Sequence, residues 1–472
     1  MSKKDSVNLD YNIEGRRGRV KKQKNRYLNE KTIRNKAIKR MKKLRIIILL
    51  INICINSITT FASLKANVSV VNITPPLEMK YTLGGYGERM NKPAEGIHDS
   101  IYAKALALKS GDSKYLIITM DILGLPSNFK TDLIKRILKM GWKAENVMLL
   151  PSHSHGSLEM AAINSKNIFG VPQIGIFQPE LLSFLLDKTE KLVLETDKNY
   201  REVKIGTGSV KFDGLNRNRR GDKLVDNELT VTRVDLANGQ PLATLVNWTA
   251  HPTFIGGDDM LVSAEWPGYL QTEMEKTIGQ GVVVMYYNGA EGDQSPVYSG
   301  NGSAYEKIQG YGKIMAEKSL SVYNSVQTKK ENELVYSYQV VDLPEQVAHP
   351  DFMETGGAEY GLNEQTVKVI MDALGPKKVG IGSVRIGDFV LVGIPGELVA
   401  ELGIKIKESV KNDKVKHVAI GGLANEWISY ILTEDEYVNG SGYEASVSFY
   451  GPKLGEIITG SAISISKTLD KN

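Results

Sequence analysis

Two of the six histidines in this 472-residue chain, His153 and His155, sit at i and i+2 in one short loop. The loop follows the apolar run Val147-Met148-Leu149-Leu150-Pro151 and reads Ser152-His153-Ser154-His155-Gly156. A short apolar run bounded by turn residues reads as a buried strand, and in open α/β sheets ligands sit just beyond the carboxyl ends of strands. Neutral imidazole is the commonest metal ligand, so metal binding or catalysis is one reading of the pair. Local hydrogen bonding in a solvated loop is the other. What the remaining strands deliver decides between them.

Ala243 to Trp248 leads into Thr249-Ala250-His251-Pro252, and Val282 to Tyr287 leads into Asn288-Gly289-Ala290-Glu291-Gly292-Asp293-Gln294-Ser295-Pro296. Phe389 to Ile394 leads into Pro395-Gly396-Glu397, and Val418 to Ile420 into a stretch ending Trp427-Ile428-Ser429-Tyr430. Each run places polar or titratable groups at the same end. In a sheet of parallel strands those ends line one crevice, which gathers His153, His155, His251, Ser295, Glu397 and Tyr430. The expected fold is α/β, with mixed, largely parallel sheets flanked by helices and a metal site at the strand C-terminal ends. Two histidines from separate loops plus a carboxylate make a three-ligand catalytic zinc set. Taken singly, Glu397 suits a helix N-terminus, His251 a core histidine, Ser295 a turn and Tyr430 packing. Their common placement favours a site.

Composition narrows the chemistry. Hydrophobic residues make up 42% and charged residues 24%, ordinary values for a globular protein. The net charge of +5 is uneven: residues 1–45 hold 17 Lys and Arg against 4 Asp and Glu, so the remainder is mildly acidic. An acidic body lacks the basic face that nucleic-acid binding requires. The single cysteine, Cys54, lies in the apolar N-terminal segment, so a metal in the body must be held by His, carboxylate or phenolate.

Residues 1–40 are basic, almost without apolar periodicity, and are expected to be disordered. They form a tail, cytoplasmic or nucleic-acid-binding, unless Met41 is the true start. Residues 41–62 pass from basic to apolar to small and match a signal peptide cleaved after Ala62. The apolar stretch is interrupted by Asn52, Asn56 and Ser57, and a single-pass membrane anchor is the alternative. Secretion or cell-envelope location is therefore expected. Residues 66–472 read as one unit, with helices from Ser127 and from Glu180 to about Leu194.

The ordered set of motifs in this unit resembles the neutral/alkaline non-lysosomal ceramidase family. The matching runs are Ile73-Thr74-Pro75-Pro76, Gly85-Tyr86-Gly87, the His153/His155 loop, Asn216-Arg217, Asn247-Trp248 to His251, Gly292-Asp293-Gln294-Ser295-Pro296, Pro395-Gly396-Glu397, Thr433 to Tyr437, Tyr443-Glu444-Ala445-Ser446 and Tyr450-Gly451-Pro452. The resemblance implies a Zn2+-dependent amidase that splits N-acyl-sphingosine into sphingosine and a fatty acid. It implies that His153, His251, Glu397 and Tyr430 ligate zinc, that His155 and Arg217 contact the substrate oxygens, and that Tyr443 assists from the opposite side. Ser295 matches a serine that is either nucleophile or amide-binding group; the second role is favoured, since a metal-activated water makes a serine nucleophile unnecessary.

The sequence departs from the family pattern at Val297, where Asn is usual, and by an extra residue near Gly440-Ser441-Gly442. It also ends about twenty residues after Pro452, as expected of a short member without the C-terminal β-sandwich domain. The expected partner is a lipid or other N-acyl substrate, with membrane-surface association. Other exported N-acyl or ester hydrolysis, and a non-catalytic binding module on the same fold, are the alternatives. The segment Glu345 to Asn363, with Phe352, Met353 and Tyr360, is a candidate wall for the substrate groove.

Overall fold

The computed structural model describes residues 21–22, 24, 26–45, 63–440 and 442–470. It divides into two units, Met1–Phe61 and Ala62–Asn472. In the first, residues 26–45 form a helix exposed along its whole length. The apolar stretch read as signal peptide or anchor lies outside the described residues from Ile46 to Ala62. The expected single-pass anchor has no counterpart among the described residues, where no helix is long and apolar enough to cross a membrane.

The second unit is built around a nine-stranded sheet. Its strand order is Val283–Asn288, Pro241–Trp248, Glu228–Leu236, Arg201–Lys211, Lys65–Asn72, Tyr102–Ser110, Ser113–Met120 and Val147–Pro151, with Lys329–Lys330 added beside Arg201–Lys211. The expectation of largely parallel sheets is wrong. Only the pairs at the two ends of this path are parallel, Val283–Asn288 with Pro241–Trp248 and Ser113–Met120 with Val147–Pro151. Every pairing between them is antiparallel. A second sheet, Leu334–Asp342, Lys378–Ile386, Phe389–Gly393 and His417–Gly421, is antiparallel except for its last pair.

Side-chain alternation explains why the apolar runs are unbroken whatever the direction of their neighbours. Along Val147–Pro151, Val147 and Leu149 join the cluster that contains Phe129, Leu133, Leu185 and Leu192 of the helices Ser127–Ile137 and Pro179–Thr196. Met148 and Leu150 instead join the cluster with Val384, Phe389, Leu391 and Ala419 of the second sheet. Helices Glu265–Ile278 and Ala304–Ser325 cover the other half of the large sheet. Helices Ala400–Val410 and Leu454–Thr468 cover the far side of the second. The unit is thus layered helix–sheet–sheet–helix. An antiparallel sheet covered on both faces acquires the unbroken apolar strands usually associated with parallel sheets. At about 1.5–3 kcal/mol for each large apolar side chain fully buried, this core supplies the main driving force.

One buried ion pair ties the layers together. Lys407 Nζ donates to Asp226 Oδ1 and Oδ2 at 2.8 Å each, and both side chains are almost fully buried. Asp226 also accepts from Thr249 Oγ1 at 3.2 Å, two residues before His251. Lys407→Met leaves the Asp226 carboxylate buried and unpaired and is expected to lower stability by about 3–5 kcal/mol. Urea unfolding measures this, and adding Asp226→Asn should recover part of the loss.

Candidate active site

Each parallel edge pair delivers side chains to one place. Beyond Val147–Pro151, His153 takes a left-handed backbone (φ 68°), a conformation costing about 1–3 kcal/mol that persists only where its surroundings enforce it. The neighbouring exit enforces it: His153 N donates to Ile122 O at 3.0 Å and His153 Nδ1 to Leu123 O at 2.7 Å. Beyond Pro241–Trp248, His251 N and His251 Nδ1 both donate to Gln294 O, at 3.0 and 3.1 Å. Beyond the second sheet, Glu397–Leu398 pairs in parallel with Tyr430–Ile431, and the register sets Glu397 beside Tyr430.

These ties fix the protons. A carbonyl only accepts, so Nδ1 of His153 and of His251 carries the hydrogen, and in the neutral rings Nε2 is a bare lone pair. Both lone pairs point at one carboxylate oxygen: Glu397 Oε2 is 2.9 Å from His251 Nε2 and 3.4 Å from His153 Nε2. Trp427 Nε1 holds the other oxygen, Oε1, at 2.7 Å. Burial would raise the Glu397 carboxyl, which lies well below its usual range only where the two imidazoles carry charge; with both rings neutral, a cation must take that part. Burial, then Arg219, lowers His251 to about 4. A cation between these three buried acceptors relieves their repulsion, and the donor set suits a metal.

His155 differs. Its Nε2 lies 3.4 Å from His153 Nε2, and the ligand atoms of His153, His155 and His251 all fall within 4.8 Å of one another. Its Nδ1, however, is buried without a partner, so no carbonyl orients the ring as in the other two. Burial, then His153 and His251, pushes its pKa well down. Gly85, at φ 89°, packs so tightly on this ring that an added Cβ would collide with Nδ1. Arg89, buried, donates to His155 O at 2.7 Å and to carbonyls at Gly256 and Asp259, fixing the loop.

Two expected site residues are not brought in. Arg217 and Ser295 face each other across the short antiparallel pair Asn216–Asn218 with Gln294–Pro296, Arg217 is exposed, and neither lines the cavity. Arg219, just past the strand end, lines it instead. It donates to Tyr430 Oη and Gly292 O at 2.9 Å each and to Glu444 Oε1 at 2.5 Å. Burial opposes its charge, but Tyr430 and Glu444 more than offset this and raise its pKa. The Gly292-Asp293-Gln294 run acts through its backbone and Asp293, which accepts from Asn218 Nδ2 and Ala400 N. Tyr443 is present, its ring 6.0 Å from that of Tyr430 and edge-on.

The cavity measures about 520 Å³. His153, His155, Arg219, Glu397, Tyr430 and Tyr443 form its polar end, and Phe352, Leu362, Val367, Ile370, Met371, Leu374 and Phe449 form apolar walls. The segment expected as a wall contributes Phe352, Tyr360 and Leu362, with Gln346 and Glu359. Helix Glu364–Leu374 adds most of the rest, and its apolar spacing is the sequence signal for it.

A family model described as neutral/alkaline non-lysosomal ceramidase, N-terminal, matches residues 66–310 and 362–458. The chain belongs to this family. Neutral ceramidase of Pseudomonas aeruginosa is 22% identical over 78% of this chain and 66% of its own length, so this chain spans just under two thirds of it. Neutral ceramidase B of Dictyostelium discoideum is 20% identical over 88% of this chain and 76% of its own. The crystal structure of the Pseudomonas aeruginosa neutral ceramidase superposes with a TM-score of 0.75 at 19% identity, over 87% of this chain and 75% of the other. That likeness establishes the shared fold.

Because His153 and His251 are oriented by carbonyls and His155 is not, this ceramidase-family site predicts a sharp division. His153→Ala and His251→Ala should lose bound metal, whereas His155→Ala should retain it. Elemental analysis of the purified variants checks this; loss of metal from His155→Ala would show that all three imidazoles are ligands.

Proposed function

We propose that this chain is a zinc-dependent amidohydrolase that cleaves the amide of N-acyl-sphingosine. The observation that carries the reading is the pair of imidazole lone pairs, on His153 and His251, aimed at the Glu397 carboxylate at the end of an apolar cavity. His153, His251 and Glu397 would hold the ion, with Tyr430 beside them; imidazole and carboxylate without thiolate is a usual catalytic zinc set. Zinc in that position supplies Lewis acidity, which lowers the pKa of water to about 7 and polarises a carbonyl.

The other residues act on the substrate. His155 stays neutral because burial and the neighbouring rings oppose its charging, so it can donate a hydrogen bond to a developing oxyanion without adding a cation beside the metal. Arg219 takes the part that the resemblance gave to Arg217: it steadies Tyr430 and brings permanent positive charge to the polar end. Tyr443 donates from the cavity side. Ser295, away from the cavity, is proposed to keep Gln294 O in place for His251 through the strand pairing, and not to attack the amide. The apolar walls exclude water and take the hydrocarbon of the substrate, which the names of the relatives identify for them as ceramide.

The test is a substrate panel with purified protein: ceramides, N-acyl amino acids, N-acetylated sugars and simple esters, following release of amine or acid. Ceramide turnover that a chelator abolishes and added zinc restores is the expected result. Turnover of short soluble amides with ceramide untouched would discard the lipid substrate, and no turnover of any member would leave a binding module. His155→Ala should lower kcat by about a hundredfold to a thousandfold, the usual contribution of an oxyanion donor.

A further inference from the structure

Residues 345–361 lie between the two stretches matched by the family model, yet this segment closes one side of the cavity. It is fastened at three points. Val347 N donates to Phe449 O at 2.9 Å, His349 Nε2 donates to Tyr437 O at 2.9 Å, and Glu359 Oε1 accepts from Gly87 N at 3.3 Å. Gly87 approaches so closely that a Cβ there would stand 3.0 Å from Glu359 O. The segment ends by setting the Tyr360 hydroxyl 2.8 Å from that of Tyr443, and both tyrosines line the cavity.

We propose that Tyr360 is a positioning residue for amide hydrolysis: its hydroxyl donates to Tyr443, leaving the Tyr443 O–H to meet the oxygen of the reacting carbonyl. This rests on the amidohydrolase reading and adds a residue to it. Two phenols joined by one hydrogen bond spend one O–H in it and keep the other free. The direction follows from the surroundings. Tyr443 packs edge-on against Tyr430, whose hydroxyl already receives a hydrogen bond from the Arg219 guanidinium, so the cation lies toward the Tyr443 end of the pair, while Glu359 adjoins Tyr360 in the chain. A hydroxyl that accepts one hydrogen bond becomes a stronger donor in the next, and the gain is largest where charge develops, at the oxyanion of the transition state.

Tyr360→Phe removes the hydroxyl and keeps the ring, so the cavity wall survives. In the full zinc-loaded chain this variant should lose kcat by about tenfold, with KM within roughly twofold and zinc content unchanged. In a Tyr443→Phe background the same change should cost nothing further, because the hydroxyl it serves is gone. An unchanged kcat, a rise in KM alone, or losses that multiply in the double variant would overturn the proposal. A binding measurement keeps this test separate from the substrate assignment: calorimetry with a phosphinate analogue of the tetrahedral species should show about tenfold weaker binding to Tyr360→Phe. Wild-type affinity in that variant overturns the positioning role, whereas a wild-type protein that hydrolyses no amide overturns the amidohydrolase reading.

Discussion

Two lone pairs and a carboxylate share one buried point, and the rest of the unit is arranged to keep them there. Without a cation the cluster of His153, His251 and Glu397 repels itself, and the buried carboxylate carries a desolvation cost of several kcal/mol. The fold meets that cost with fixed dipoles. Leu123 O and Gln294 O hold the two rings in one tautomer, and Trp427 Nε1 satisfies the carboxylate oxygen turned away from them. The left-handed backbone at His153 is stored strain of the kind that concentrates at functional sites.

The mixed topology follows from the same demand. A carbonyl can hold a neighbouring histidine only if two chain segments leave the sheet side by side and in the same direction, which is what a parallel pair provides. The parallel pairs flank the site: Ser113–Met120 with Val147–Pro151 for His153, Pro241–Trp248 with Val283–Asn288 for His251, and Phe389–Gly393 with His417–Gly421 ahead of Glu397 and Tyr430. The antiparallel strands between them set the spacing of those pairs. The second sheet buries the inner face and brings Glu397 across to the histidines.

His153, His251, Glu397 and Tyr430 were legible in the sequence because each follows an apolar run broken by turn residues, a pattern that survives without knowledge of strand direction. Direction itself was not legible. Val147–Pro151, itself in a parallel pair, is apolar on both faces because helices cover one and a second sheet the other, and the covered antiparallel strand Tyr102–Ser110 leaves the same trace. Among Asn216-Arg217-Asn218-Arg219-Arg220, the arginine that enters the site depends on where a three-residue strand ends, a matter of one or two residues. The partners of Glu397 and Tyr443, namely Trp427 and Tyr360, lie 30 and 83 residues away in sequence. Only the tertiary fold joins them.

The central claim is that two carbonyl-oriented imidazoles and a carboxylate form a zinc site while His155 remains free. X-ray absorption at the zinc edge of the metal-loaded protein tests it most directly, because imidazole gives a characteristic multiple-scattering pattern. The expected result is a nitrogen and oxygen shell at about 2.0–2.2 Å, no sulfur, and scattering from two imidazoles. Scattering from three imidazoles, or protein that takes up no zinc, would contradict it.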